Sequence, residues 1–150
     1  MAALNTHTVL LKIQEILEPA VSAVDSTVVV RLVDSGSKVT TNSPKVTLYP
    51  EPTTRDPGST TLGGPPEYLA IQDINVALEV TNPGTEDAAT LASSKLEALI
   101  SAIVDALDAD LTLDGEVDSL EIPLRNRAGA TDATNYRMFG AVLIRTYKQE

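Results

Sequence analysis

The longest stretch with a helical period, Thr85–Leu107 (TEDAATLASSKLEALISAIVDAL), sets the strongest limit on the fold. Leu91, Leu96, Leu99, Ile103 and Leu107 recur at steps of three to five, with Ile100 beside them, so one stripe of this helix must be buried. Thr85 is placed to cap it, and Glu86 and Asp87 put negative charge in the first turn, where the helix dipole favours it. Asp114-Gly115 is a turn signal beyond its end. Strand-like segments lie before it at 69–82 and after it at 117–124 and 136–148. A helix with one apolar stripe between alternating strands is expected to lie across a sheet.

The rest of the chain extends this pattern. Residues 5–18 read as a first helix, capped by Asn5 or Thr6, with Leu10, Ile13, Leu17 and then Val21 and Val24 on its core face. Pro19 is expected to end or kink it near Glu18, because the ring clashes with the preceding turn. The β-branched run 27–34 (TVVVRLVD) reads as a strand, Asp34–Ser37 as a turn and 45–49 (KVTLY) as a second strand. In 69–82, Ile74, Val76, Leu78 and Val80 alternate with Asn75, Ala77, Glu79 and Thr81. Ile71 falls on the other parity, so a bulge near Asp73 is expected. Residues 117–124 form a shorter strand and 126–135 a polar loop. The last strand, 136–148, is apolar on both parities, which places it inside the sheet. The order α-β-β-β-α-β-β predicts an α+β fold, with a mixed, mostly antiparallel sheet of about five strands and two helices on one face. A length of 150 residues and the lack of internal repeats predict one domain, 1–150.

Composition narrows the function. With 43% apolar and 21% charged residues the chain is of globular type, and with 3% aromatics its core is built from Val, Leu, Ile and Ala. A net charge of −10 repels phosphate, so nucleic-acid binding is not expected. There is no cysteine for a disulfide framework, a thiolate nucleophile or a Cys-based zinc site. The N-terminal segment lacks the pattern of a signal peptide and no apolar run is of membrane-spanning length, so folding in a cytosol, with no membrane partner, is expected.

Residues 50–67 (PEPTTRDPGSTTLGGPPE) hold five prolines and three glycines and read as a long loop between Tyr49 and Tyr68, either solvated or a contact element. Asp110, Thr112, Asp114, Gly115, Glu116, Asp118 and Glu121 match the spacing of a calcium-binding EF-hand loop. Against that reading, Thr112 replaces an acid or amide, Pro123 and Gly129 exclude an exiting helix, and no second hand is present. Asp110, Asp114 and Glu121 would be its ligands; a helix-to-strand turn on an acidic surface is the alternative. His7, the only histidine, begins the first helix without a candidate serine nearby, and Gly63-Gly64 lacks the residues of a phosphate loop, so neither catalytic residues nor cofactors are expected. Charge is segregated: Glu86 to Glu121 holds ten acidic residues and one basic residue, Lys95, whereas Ile122 to the end holds five basic and two acidic residues. Either this is incidental, or one subunit's basic edge meets its neighbour's acidic edge.

The helix TVLLKIQEILEPAV, the pattern KVTLYPEP, the long strand before an Ala- and Leu-rich helix, the turn LDADLTLDGEV and the strand YRMFGAVLIRTYK together resemble the tail terminator family of long-tailed bacteriophages. The resemblance implies a non-enzymatic virion protein, assembled in the host cytoplasm. It would form a ring of six copies on the head-proximal end of the tail tube, stop tube polymerisation and offer a surface to the head connector. Its partners would be itself, the tube protein and the connector or stopper protein. A head-completion (stopper) or other neck protein is the alternative from the same virion, and a small calcium-binding module the alternative from another class. On the ring reading, loop 50–67 with Arg55 and loop 126–135 with Arg127 are candidate contact elements, and Arg125 and Arg137 candidates for the edge between subunits.

Overall fold

A computed structural model describes residues 3–32, 45–56, 68–83, 88–131 and 135–150. They form α1 (Thr6–Val24), β1 (Val30–Leu32), β2 (Lys45–Pro50), β3 (Thr54–Asp56), β4 (Leu69–Pro83), α2 (Ala88–Asp108), β5 (Ser119–Thr131) and β6 (Asn135–Gln149). The six strands make one sheet in the order β1-β2-β4-β6-β5, with β3 paired to β4 beyond the end of β2. Only β1 and β2 run parallel; every other pair is antiparallel. The fold is thus α+β, as the element pattern predicts.

Both helices pack on the same side of the sheet. Ile74, Val76, Leu78 and Val80 of β4 and Val142 and Ile144 of β6 are buried there, against Ile13, Leu17 and Val21 of α1 and Leu96, Leu99, Ile103 and Leu107 of α2. Burying each such side chain contributes about 1.5–3 kcal/mol before conformational entropy is charged against it. The predicted interior position of the last strand holds, since β6 lies between β4 and β5. Helix α2 approaches β6 closely at Gly140, where a Cβ would lie 2.9 Å from Leu96 Cδ1 and 3.3 Å from Ile100 Cδ1.

Several sequence expectations need correction. Helix α1 does not stop at Glu18 but runs through Pro19 to Val24. Pro19 is on the solvent side, where water can satisfy the carbonyl it releases, and continuing the helix buries Val21 completely. Asn5 is the cap, its side chain accepting from the Thr8 N–H at 3.1 Å. The stripe of α2 includes Ala92 in place of Leu91, which is 57% exposed. The expected cap Thr85, with Glu86 and Asp87, lies outside the described residues, as does the turn 34–37. Strand β1 begins at Val30 and not at Thr27, because Asp25 draws the chain into a turn: its side chain accepts from the Thr27 N–H at 2.9 Å and its carbonyl from the Val28 N–H at 3.1 Å, while residues 33–34 lie outside the described residues.

β4 has no bulge at Asp73; its register with β6 is unbroken from Leu69↔Gln149 to Pro83↔Asn135. The inward position next to Asp73 belongs to Gln72, which is fully buried and fully bonded. Gln72 Oε1 accepts from the Thr6 hydroxyl at 2.8 Å and from the Thr53 hydroxyl, and its amide donates to the Glu51 and Asp73 carbonyls. The register shift of the sheet instead falls in β5, between Glu121 and Leu124 around Pro123. The stretch read as a polar loop, 126–135, is mostly strand: β5 continues to Thr131 and β6 begins at Asn135. Part of the proline-rich stretch is strand as well, because β3 pairs Thr54–Asp56 with Leu69–Ile71, while residues 57–67 lie outside the described residues.

Candidate assembly interface

The structure scatters the four candidate arginines and gives three of them internal partners. Arg55, on β3, donates from Nε to Glu150 Oε1 at 3.1 Å and lies 4.2 Å from the centroid of the Tyr68 ring. Glu150 Oε2 also accepts from the Leu4 N–H at 3.2 Å, so Arg55 belongs to a knot that ties β3 to residues at both ends of the chain. Arg127 pairs with Glu97 of α2. Arg137 reaches Glu79 Oε1 at 3.4 Å, while Lys45 holds the other oxygen at 3.0 Å. Arg125 has no ion-pair partner among the described residues; with Arg127, Glu97 and Ile100 it lines a cleft between β5 and α2. The register places Arg125 opposite Val142 and Arg127 opposite Gly140, so both point to the helix side, whereas Arg137 is on the other side of the sheet.

The calcium-like segment folds as a helix-to-strand turn. Leu113 (φ 50°), Asp114 (φ 57°) and Gly115 (φ 85°) take the left-handed conformation in succession. Only Gly115 adopts it freely; burial of the Leu113 side chain holds its backbone there. Asp110 accepts from the Asp114 N–H at 3.0 Å, closing the turn. The proposed ligands are not brought around one point: Asp114 faces Lys12 at 3.4 Å, and Glu121 accepts from the Tyr147 hydroxyl. Among the described residues no three His, Cys, Asp or Glu side chains are grouped to hold a metal ion. The contacts leave electrostatic marks. The Asp114 carboxylate, followed by Glu15, raises the Lys12 ammonium above its ordinary range. The hydrogen bond to Glu121 raises the Tyr147 phenol, and Asp73, paired in a fork at 2.8 and 3.0 Å, raises the Arg145 guanidinium.

The sheet face without helices holds a second grouping that sequence reasoning did not assemble. Cross-strand neighbours there form rows: Lys45–Glu79–Phe139, then Arg31–Thr47–Ala77–Ala141, then Tyr49–Asn75–Leu143–Leu124. Phe139, the only phenylalanine, is 39% exposed, Tyr49 38% and Leu124 55%. Lys45 and Arg137 share the Glu79 carboxylate, and Arg31 has no ion-pair partner among the described residues. The result, among the described residues, is a small apolar floor, built of side chains that alternate with core residues, edged by the cations Arg31, Lys45 and Arg137, with Glu79 between Lys45 and Arg137 and the Glu51 carboxylate held by Asn75 at 2.9 Å. Period-two alternation was visible in the sequence, but the pairing that gathers Arg31, Lys45 and Arg137 was not. His7 is exposed at the start of α1, away from this grouping.

No family model matches the chain, and no curated protein matches it. Among solved structures, a chain described as "Virion of native gene transfer agent (GTA) particle" superposes with a TM-score of 0.59 at 20% identity, over 92% of this chain and 93% of that one. The two share a fold across nearly their whole lengths. A second solved chain, 13% identical over 96% of each, aligns at a TM-score of 0.45, too loosely to carry an argument.

Proposed function

We propose that this chain is a non-enzymatic structural component of a phage-like virion, and within it a tail terminator. On this reading, copies form a ring, with six subunits expected, on the head-proximal end of the tail tube. One face of the ring matches the tube's own subunit contacts and the other does not, so tube growth stops and the head connector gains a surface to bind. The observation that carries the reading is the shared fold with the gene transfer agent virion chain, which covers 92% of one chain and 93% of the other. The sequence patterns that resemble terminators are spread through the same elements. The chain acts as one domain without a cofactor, folds in the host cytoplasm and ends in the virion neck. Arg55 and Arg127 serve contacts along the ring axis; Arg125, unpaired within the described residues, and Arg137 serve contacts between subunits.

Electron microscopy of the purified protein mixed with uncapped tail tubes tests this. The expected result is a ring at one end of each tube and an arrest of further elongation. Tubes that stay bare and continue to grow overturn the terminator reading. Binding to isolated portal rings instead would make the chain a neck or stopper protein.

A further inference from the structure

Two surfaces of opposite character lie far apart on the molecule. The first is the part of the open sheet face around Phe139, where Lys45 and Arg137 hold the Glu79 carboxylate, Glu51 rests on Asn75, and Arg31 of β1 adds a cation with no ion-pair partner among the described residues. The second is the turn between α2 and β5. There Leu111 is 48% exposed in a segment that also carries Asp108, Asp110, Asp114 and Glu116, of which, among the described residues, Asp114 is paired with a cation, Lys12, at 3.4 Å. One surface is an apolar floor with a basic rim. The other is an apolar knob with an acidic rim.

They cannot meet within one chain. The turn leads into β5 at Ser119, opposite Tyr147, and Phe139 lies eight residues back along β6. At about 3.4 Å per residue that is roughly 27 Å. We infer that they are the two halves of a contact between copies of this chain, in which the Leu111 turn of one copy seats on the Phe139 floor of the next. Charge complementarity selects the occupant. The chain carries a net charge of −10, so two copies repel in most orientations, and this one brings a cationic rim against carboxylates. The two patches differ, so the contact is head-to-tail and each copy keeps one of each free for a further neighbour. Such a contact closes into a ring or continues as a filament. It deepens the proposed ring and rests on that reading for closure alone.

The chain has no cysteine, so an introduced pair reports by itself. Leu111→Cys and Phe139→Cys replace partly exposed side chains, and circular dichroism checks that each variant folds. An equal mixture of the two single variants, oxidised at high protein concentration, is expected to give dimers holding one of each. The double variant is expected to give a ladder on a non-reducing gel. Adding Arg31→Glu is expected to slow crosslinking about tenfold, and Asp108→Arg on the facing copy to restore it. No crosslink, or a statistical mixture of dimers in which like partners are as frequent as unlike ones, overturns the contact. Rings seen by microscopy whose subunits are not joined through this pair overturn the contact and leave the terminator reading standing. An open ladder that never closes keeps the contact and overturns the ring.

Discussion

The two faces of the sheet are made by the same strands and differ in almost everything else. In β4 the even-numbered residues from Ala70 to Val80 are buried under the helices, while the odd-numbered residues from Ile71 to Thr81 are half-buried on the open side. One side is held by aliphatic packing around two buried polar side chains among the described residues, Gln72 and Thr146, both hydrogen-bonded. The other is held by pairs that reach across strands: Asp73 with Arg145, and Glu79 with Lys45 and Arg137. Buried apolar area is worth far more than exposed ion pairs. The helix side therefore supplies stability, and the open side can vary its chemistry at little cost to the fold.

The sharpest way to break this comparison is to truncate one large side chain on each side. Leu99→Ala, at a fully buried position between α2 and the rest of the core, is expected to lower the unfolding free energy by about 3 kcal/mol in urea titrations. Phe139→Ala, at a position 39% exposed, is expected to lose only about 1 kcal/mol, because much of its ring already meets water. Equal losses would mean that the open face is a second core. Next in size is Gln72→Leu. The change roughly conserves volume, but it removes the acceptor of Thr6 and Thr53 and the donor to the Glu51 carbonyl. A loss of about 2 kcal/mol is expected; no loss would mean that those groups turn to water instead.

These two sites also mark what could be read from the sequence. The apolar period of α2 and the alternation from Ile74 to Val80 were legible because burial on one side imposes a period on the residues themselves. Gln72 was not, because a polar residue facing inward looks like a slipped register until its partners from α1 and from the segment after β2 are known. Strand β5 beyond Asn126 was missed for a related reason. Arg125, Asn126, Arg127 and Gly129 have low strand propensity, and the pairing with β6 sets their conformation. Pro19 misled in the opposite direction, since a local rule about helix ends yields where the next turn buries Val21. The acidic spacing from Asp110 to Glu121 was plain in the sequence; what it could not reveal was that Lys12 and Tyr147 would engage two of the three expected ligands. The candidate arginines were visible as residues, but their partners come from four different elements or segments, and no local pattern encodes those.

A smaller effect tests how the helical layer is fastened. Asp25 ends α1, and its carboxylate accepts from Lys95 Nζ of α2 at 2.8 Å and from the Thr27 hydroxyl and N–H. The Lys95 bond, then the Thr27 bonds, lower its pKa from 3.8 to about 2. A carboxyl with a depressed folded-state pKa adds stability above its unfolded value and gives it up as pH falls through the folded one. Its contribution is therefore expected to be complete above about pH 4 and to disappear towards pH 2. Asp25→Asn is expected to cost about 1 kcal/mol at pH 7 and to flatten stability against pH in that window. A variant with the unaltered acid slope would assign the slope to other carboxylates.

The smallest expected effect returns to the open face and sharpens the comparison most. Arg137→Ala removes one of the two cations on Glu79 but leaves Lys45 at 3.0 Å, so the carboxylate keeps a partner. Arg137 is half-exposed, and unfolding stability is expected to change by less than about 0.5 kcal/mol. The same substitution takes a charge from the basic rim around Phe139. Measured by crosslinking between Leu111→Cys and Phe139→Cys copies, it is expected to slow association clearly while the urea midpoint stays in place. A substitution that is silent in folding and audible in association is what a face freed from supporting the fold should give. If Arg137→Ala destabilised the monomer as much as it weakened the contact, the separation between the two faces would fail.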